Sequence, residues 1–75
     1  MLSKYFYNNE DITIDLMFKI EHIVNIISKH KNIDFDTAFA DFIASNTYKH
    51  LQNTQNLLWA ESSEFIADEY FKEIQ

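Results

Sequence analysis

The chain has 75 residues and a net charge of −6, with twelve acidic residues against six basic ones. A chain of this length forms one domain, so we interpret residues 1–75 as a single helical domain with residues 1–10 as a candidate flexible lead segment. The negative charge opposes direct binding to nucleic acid, because phosphates are bound by clustered basic side chains. The absence of cysteine excludes disulfides and thiolate metal sites and is typical of a reducing compartment.

The sequence shows no targeting segment and no membrane-spanning segment. The polar run that starts at Asn8 interrupts the N-terminal apolar residues before they reach the length of a signal peptide. No later apolar run approaches the length of a membrane helix. We therefore expect a cytoplasmic protein that does not associate with membranes.

Glycine and proline are both absent from the chain. Without glycine, a tight hairpin lacks the residue that adopts a left-handed backbone most easily, and without proline no helix interior is broken. The composition therefore predicts helices joined by short polar turns in which Asn and Asp provide the change of direction.

The first predicted helix runs from about Asp11 to Lys31. At 100° per residue its apolar side chains fall on one arc of about 120°, which is typical of an amphipathic helix. These residues are Leu16, Met17, Ile20, Ile23, Val24 and Ile27. Basic residues at 29–31 suit the negative end of the helix dipole, and Asn32 can end the helix in a left-handed conformation. We interpret the basic cluster as a helix cap and not as a binding patch.

A second helix of about ten residues is predicted after Asp34, which is a suitable N-cap. Its apolar residues have i, i+3, i+4 spacing and are Phe35, Ala38, Phe39, Phe42 and Ile43. A third, shorter helix begins near Ser45 and is interrupted at 52–54. The last helix starts at Ser62 or Ser63, and its apolar arc consists of Ile66, Ala67, Tyr70, Phe71 and Ile74. The predicted fold class is all-α, a compact bundle of about four helices with the third short.

No catalytic or metal-binding pattern occurs in the sequence. His22, His30 and His50 stand at spacings that match no helical pair of metal ligands, and no cysteine can complete a site. A phosphate-binding loop requires glycine and a thiol nucleophile requires cysteine, and neither residue is present. We therefore expect no enzymatic activity, no metal and no other cofactor.

Aromatic residues make up 16% of the chain, which is more than a core of this size encloses. Helical spacing places Ile14 and Phe18 on the polar side of the first helix and Phe65 on the charged side of the last. With the acidic residues that follow Phe65, these side chains are candidate partner-binding residues. The full set is Ile14, Phe18, Phe65, Asp68, Glu69 and Glu73. Alternatively, Leu2 and the aromatic residues 5–7 fold back and cover Ile14 and Phe18.

A family resemblance rests on residues within 12–72. The pattern comprises Ala38-Phe39, Phe42-Ile43, Ser45, Thr47-Tyr48, Leu51, Leu57, Trp59, Ser62 and Phe65-Ile66-Ala67-Asp68-Glu69. It resembles a family of small uncharacterised bacterial all-helical proteins that are often encoded beside an ADP-ribosyltransferase-like toxin. The resemblance implies an antitoxin or an accessory subunit of such a partner, and it carries over no catalytic residue. The aromatic lead at 5–7 is longer than in the common family pattern.

The leading hypothesis is a small acidic protein-binding module, antitoxin-like or an accessory subunit, that masks a basic or apolar surface of a partner protein. In this hypothesis Asp68, Glu69 and Glu73 speed the encounter and Phe65 holds the complex. A homodimer is equally compatible with the composition. The alternative function is an acidic inhibitor of the phage or mobile-element type that imitates nucleic acid. A helix-turn-helix DNA binder has less support, since residues 32–75 hold two lysines against eight acidic residues.

Overall fold

Four α-helices and a short β-hairpin make up the computed structural model, which describes residues 5–75. The hairpin pairs β1 (Phe6–Tyr7) with β2 (Glu10–Asp11), and two 3₁₀ turns (Thr54–Asn56 and Leu58–Ala60) connect the third helix to the fourth. The helices are α1 (Thr13–Lys31), α2 (Phe35–Ile43), α3 (Asn46–Gln52) and α4 (Ser63–Glu73). This architecture confirms the predicted all-α bundle with a short third helix.

The β-hairpin is the feature that the composition did not predict. Antiparallel pairing places Phe6 opposite Asp11 and Tyr7 opposite Glu10, with Asn8 and Asn9 at the turn. Both Asn residues have positive φ, 50° and 67°, as a type I′ turn requires. The expectation that a chain without glycine avoids tight hairpins was therefore wrong, because Asn tolerates the left-handed region well enough to replace it.

Side-chain caps set the start of α2, α3 and α4, as the polar residues at these positions predicted. Asp34 accepts a hydrogen bond from the Thr37 backbone N–H at 3.0 Å, and Ser45 and Ser62 bond the corresponding N–H groups of α3 and α4 at 3.1 Å. The start of α1 differs, because its N-cap position is Ile12. There the Asp11 carboxylate accepts the Thr13 N–H at 2.9 Å and satisfies one of the unpaired donors.

The C-terminal end of α1 agrees with the sequence prediction. Asn32 has φ 55° and ends the helix in the left-handed conformation, and its N–H bonds the Ser28 carbonyl oxygen. Lys31 forms an ion pair with Asp41 of α2 at 3.6 Å, and its ammonium group lies 5.7 Å from the centre of the Tyr70 ring. The basic residue therefore links α1 to its neighbours.

The core lies where α1 packs against α2 on one side and α4 on the other. Phe42 is its largest fully buried side chain and meets Tyr48 and Tyr70 edge-on. The core residues are Leu16, Ile23, Val24, Ile27, Ala38, Phe42, Leu51, Ile66, Ala67 and Tyr70. Several residues that the apolar arcs assigned to the core are exposed instead, and these are Met17, Phe35, Phe39, Ile43 and Ile74.

Candidate functional site

Several exposed apolar side chains lie on α1 and α2. On α1, Ile14 and Phe18 are one turn apart and are 66% and 62% exposed. Met17 lies between them and the buried stripe of the same helix. On α2, Phe35 and Phe39 stack with their ring centroids 6.3 Å apart and remain half-exposed. We call these five residues the α1–α2 apolar face.

A groove of about 200 Å³ runs through this face. Met17 and Ile20 form its α1 wall, and Phe35 and Phe39 form its α2 wall. Tyr48 of α3 also lines it, and burial raises the pKa of the Tyr48 hydroxyl above its ordinary value of 10.0, with a further contribution from Tyr5. That hydroxyl is therefore uncharged at neutral pH. The remaining lining residue, Glu21, carries the negative charge of the groove.

The aromatic lead segment does not cover this face within the described residues. The Tyr5 hydroxyl accepts a hydrogen bond from the Gln52 amide at 2.9 Å, and the Phe6 carbonyl oxygen accepts one from the Thr54 hydroxyl at 2.8 Å. Tyr7 contacts Trp59 edge-on at 5.3 Å. The hairpin is thus fixed to α3 and the 3₁₀ turns, and Ile14 and Phe18 stay exposed. Leu2, the other residue assigned to this cover, lies outside the described residues.

The rim of the α1–α2 apolar face is acidic, and two of the three lysines of α1 are bonded elsewhere. The Lys19 ammonium group donates to the Glu61 carbonyl oxygen at 2.6 Å, and Lys29 lines a cleft with residues at the start of α4. Lys31 is paired with Asp41. Glu21 lies in the groove and Asp36 follows Phe35 on the exposed side of α2.

Phe65 and Glu69 lie in a different cleft, of about 450 Å³, which α3, the 3₁₀ turns and α4 enclose. Phe65 is 45% exposed and shares the cleft with Leu57. The Glu69 carboxylate accepts from the Lys72 ammonium group at 3.2 Å, which partly neutralises it. Asp68 is exposed on the same helix. The structure therefore brings Phe65 and Glu69 together but places them in a cleft separate from the α1–α2 groove.

Glu73, a candidate partner-binding residue, bonds the start of α3. Its carboxylate oxygens accept the Asn46 N–H at 2.7 Å, the Thr47 N–H at 2.9 Å and the Thr47 hydroxyl at 2.7 Å. The bond from Asn46 and the bond from the Thr47 side chain lower the pKa of Glu73 below its ordinary value of 4.5. The carboxylate is therefore ionised at neutral pH and is hydrogen-bonded to other residues of the same chain.

Among residues 5–75, no group of three or more His, Asp or Glu side chains is arranged to hold a metal ion. His30 instead contacts the Phe71 ring at 4.4 Å, while His22 and His50 line separate clefts. Over the same residues, every helix is too short or too polar to cross a bilayer.

Sequence reasoning identified Ile14 and Phe18 but assigned Met17, Phe35 and Phe39 to the core. A helical wheel gives the angular position of each residue around its own helix. It does not show which edge of an apolar arc a neighbouring helix covers. A useful signal was the short α2, because a helix of 9 residues cannot bury three phenylalanines and an isoleucine on one side. The high aromatic content of the chain also indicated that some of these rings are exposed.

No family model, curated protein or solved structure matches the chain.

Proposed function

We propose that the chain is a small acidic protein-binding module that masks a partner protein through the α1–α2 apolar face. The observation that carries this proposal is the exposure of Ile14 and Phe18 on α1, the helix whose Met17 lines a groove with Phe35 and Phe39 of α2. Such a concentration of apolar side chains in water is unfavourable unless a partner covers it.

The size of the face supports a protein partner. At about 200 Å² for a whole side chain, the three phenylalanines of the α1–α2 apolar face alone present roughly 280 Å² of accessible surface. Ile14 and Met17 add to this, which brings the face to the size of the largest patches found on ordinary monomers, patches that are often functional. Aromatic side chains and methionine are also the residues enriched in the buried centre of protein interfaces.

The same proposal gives the module an antitoxin-like role, or the role of an accessory subunit, in the cytoplasm. Its support is the resemblance to small bacterial proteins encoded beside an ADP-ribosyltransferase-like toxin, together with the net charge of −6. A negatively charged module approaches a basic partner faster than a neutral one does. Phe65, Asp68 and Glu69 provide a second candidate contact surface, whereas the Glu73 carboxylate is already bound to α3.

The alternative of a nucleic-acid mimic has less structural support, because several carboxylates are engaged within the molecule. Asp34 and Glu73 accept backbone N–H groups, and Asp41 and Glu69 are paired with lysines. A mimic needs carboxylates presented to solvent at regular spacing, so that they replace phosphates in the target's binding site.

The test is affinity purification of the tagged protein from its native cell at low and at moderate salt. The experiment compares the wild type with the double variant Ile14→Gln, Phe18→Gln, because glutamine preserves helix propensity while removing the apolar surface. We expect one stoichiometric partner with the wild type. The double variant should bind this partner at least tenfold more weakly, since anchoring side chains contribute about 1 kcal/mol or more each.

The matched control is Ile74→Gln, which removes an apolar side chain that is 48% exposed and lies outside both clefts. This variant should bind the partner as the wild type does. Equal affinity of the wild type and the double variant for the purified partner would contradict the proposal. The antitoxin-like role fails separately if the partner's toxicity to growing cells is the same with and without the module.

A further inference from the structure

From the shape and charge of the α1–α2 groove we infer its occupant, an amphipathic α-helix of the partner that carries lysine or arginine beside its apolar stripe. This inference rests on the proposed function and names the part of the partner that is bound. Its three supports are the form of the groove, the satisfied backbone of its walls and the acidic rim.

The groove has the form that a single helix fills. Its walls are side chains from two helices, with Met17 and Ile20 on α1 and Phe35 and Phe39 on α2. The lining residues span about one turn of each helix, Met17 to Glu21 and Phe35 to Phe39, so a partner helix that lies across the groove needs only two to three turns. A helix of that length presents two or three apolar side chains at i, i+3 or i+4, and i+7, which is the usual arrangement of helix-in-groove recognition.

An extended peptide fits the face poorly, because the face offers no sheet edge. The backbone groups of α1 and α2 are bonded within their helices, and the two strands of the chain lie against α3 and the 3₁₀ turns. An extended segment placed in the groove would leave its own N–H and C=O groups without partners. A helix satisfies these groups internally and buries only its side chains.

The charges around the groove require basic residues on the occupant. Glu21 lines the groove and Asp36 stands beside Phe35 on the exposed side of α2. Lys19 and Lys31 are bonded on other sides of α1, so they do not offset these carboxylates. Lysine or arginine flanking the apolar stripe of the occupant would pair with this rim, which adds to the rate of association and to specificity.

The same charges disfavour the other occupants of an apolar face. A second copy would bring another net charge of −6 and another acidic rim against the first. An anionic membrane surface would repel Glu21 and Asp36 for the same reason. The observations therefore favour a basic amphipathic helix over both.

The experiment titrates two synthetic peptides of about 15 residues into the isotope-labelled full chain and follows backbone amide shifts by NMR. Both peptides carry leucine at i, i+3, i+4 and i+7, flanked in one by lysine and in the other by glutamate. We expect the lysine peptide to shift the amides around Met17, Glu21, Phe35 and Phe39. It should bind at least tenfold more tightly than the glutamate peptide. Added salt should reduce this difference in affinity.

Two variants and two further measurements make the result decisive. Met17→Gln should weaken binding of the lysine peptide about threefold or more, and Ile74→Gln should leave it unchanged. Equal affinity of the two peptides, shifts that map to the Phe65 cleft, or no binding would each overturn the inference. A dimer in sedimentation experiments that Met17→Gln dissolves would assign the face to a second copy instead, and binding to anionic vesicles would assign it to a membrane.

The outcomes separate this inference from the proposed function. A native partner that binds the wild type but not Ile14→Gln, Phe18→Gln, and that the lysine peptide does not displace, supports the function and overturns the helical occupant. A native partner that binds wild type and double variant alike contradicts the function, whatever the peptides do.

Discussion

Leu57 occupies a backbone conformation that few side chains of its kind adopt. Its φ of 64° lies in the left-handed region, where the Cβ atom approaches the following carbonyl oxygen. The residue both ends the first 3₁₀ turn and begins the second, so its N–H bonds the Thr54 carbonyl oxygen at 3.4 Å and its own carbonyl oxygen accepts the Ala60 N–H at 3.0 Å. These bonds hold the backbone in place and keep the half-exposed Leu57 side chain in the cleft that Phe65 also lines.

A variant with glycine at position 57 should therefore be more stable than a variant with alanine there. Leu57→Gly and Leu57→Ala remove the same side-chain contacts, but only glycine relieves the left-handed strain. We expect the glycine variant to have the higher free energy of unfolding of the two, by about 1 kcal/mol, as measured by urea denaturation monitored by circular dichroism. Equal stabilities would show that the backbone at this position is not strained in solution.

Local residue chemistry made the helix boundaries predictable. Asp34, Ser45, Ser62 and Asn32 act through groups within a few residues of themselves, so their roles follow from the sequence. Leu57 could not be predicted in the same way, because its conformation results from two successive turns and the packing of Trp59 beyond them. The Trp59 indole N–H donates to the Thr54 carbonyl oxygen at 2.9 Å, which fixes these turns together.

At the scale of elements, α3 depends on α4 for its first turn. A helix of 7 residues is too short to be stable by itself, and each of its unpaired N–H groups requires an acceptor. Ser45 supplies one acceptor, and Glu73 at the end of α4 supplies two more to Asn46 and Thr47. Thr47 and Glu73 are 26 residues apart in the chain, so this bond joins two separate helices.

Replacing this carboxylate should make stability less dependent on pH. Because the folded pKa of Glu73 lies below its ordinary value of 4.5, the ionised group stabilises the fold above that pH. This contribution is lost as the pH falls through the folded pKa. Glu73→Gln should lower the free energy of unfolding by about 1 kcal/mol at neutral pH, since the amide retains one acceptor oxygen and no charge.

The measurement is thermal unfolding of the wild type and Glu73→Gln across a series from neutral to acidic pH. The difference in Tm between the wild type and Glu73→Gln should be largest at neutral pH and should decrease as the pH falls below 4.5. Glu69→Gln is the control, because Glu69 bonds only the exposed Lys72 and should show a much smaller difference. A gap that stays constant with pH would assign the effect to packing and not to the charge.

At the scale of the whole molecule, the apolar residues divide into those that maintain the fold and those of the α1–α2 apolar face. A domain of this size has a free energy of unfolding of about 4–11 kcal/mol. Phe42 is fully buried, and truncation of a buried phenylalanine costs about 3–5 kcal/mol. Ile14 and Phe18 are more than 60% exposed, so their replacement removes little burial.

We therefore expect Phe42→Ala to lose a large share of the free energy of unfolding and to melt more than about 12 °C below the wild type, as measured by circular dichroism. The double variant Ile14→Gln, Phe18→Gln should melt within a few degrees of the wild type, because surface substitutions change stability by less than about 0.5 kcal/mol each. A large drop in the Tm of the double variant would mean that these side chains belong to the core and would remove the basis for a binding face.

The number and order of the helices followed from periodicity, whereas the composition of the candidate site did not. Periodicity identifies the apolar stripe of a helix, but it does not identify the element that covers that stripe. In this protein both α2 and α4 pack against α1. Met17 and Phe39 lie at the outer edges of two such stripes, and the crossing of α1 and α2 decides their exposure. Crossing geometry depends on contacts distant in sequence, so it could not be predicted from either segment alone.

The packing of α1 against α4 also constrains how the protein is made. α1 is complete by Lys31, but the side of it that α4 covers has no partner until Ser63–Glu73 has been synthesised. Between these points the nascent chain displays Ile23 and Ile27 in addition to the residues that are exposed in the folded protein. Cooperative folding therefore has to wait for α4 to leave the ribosome.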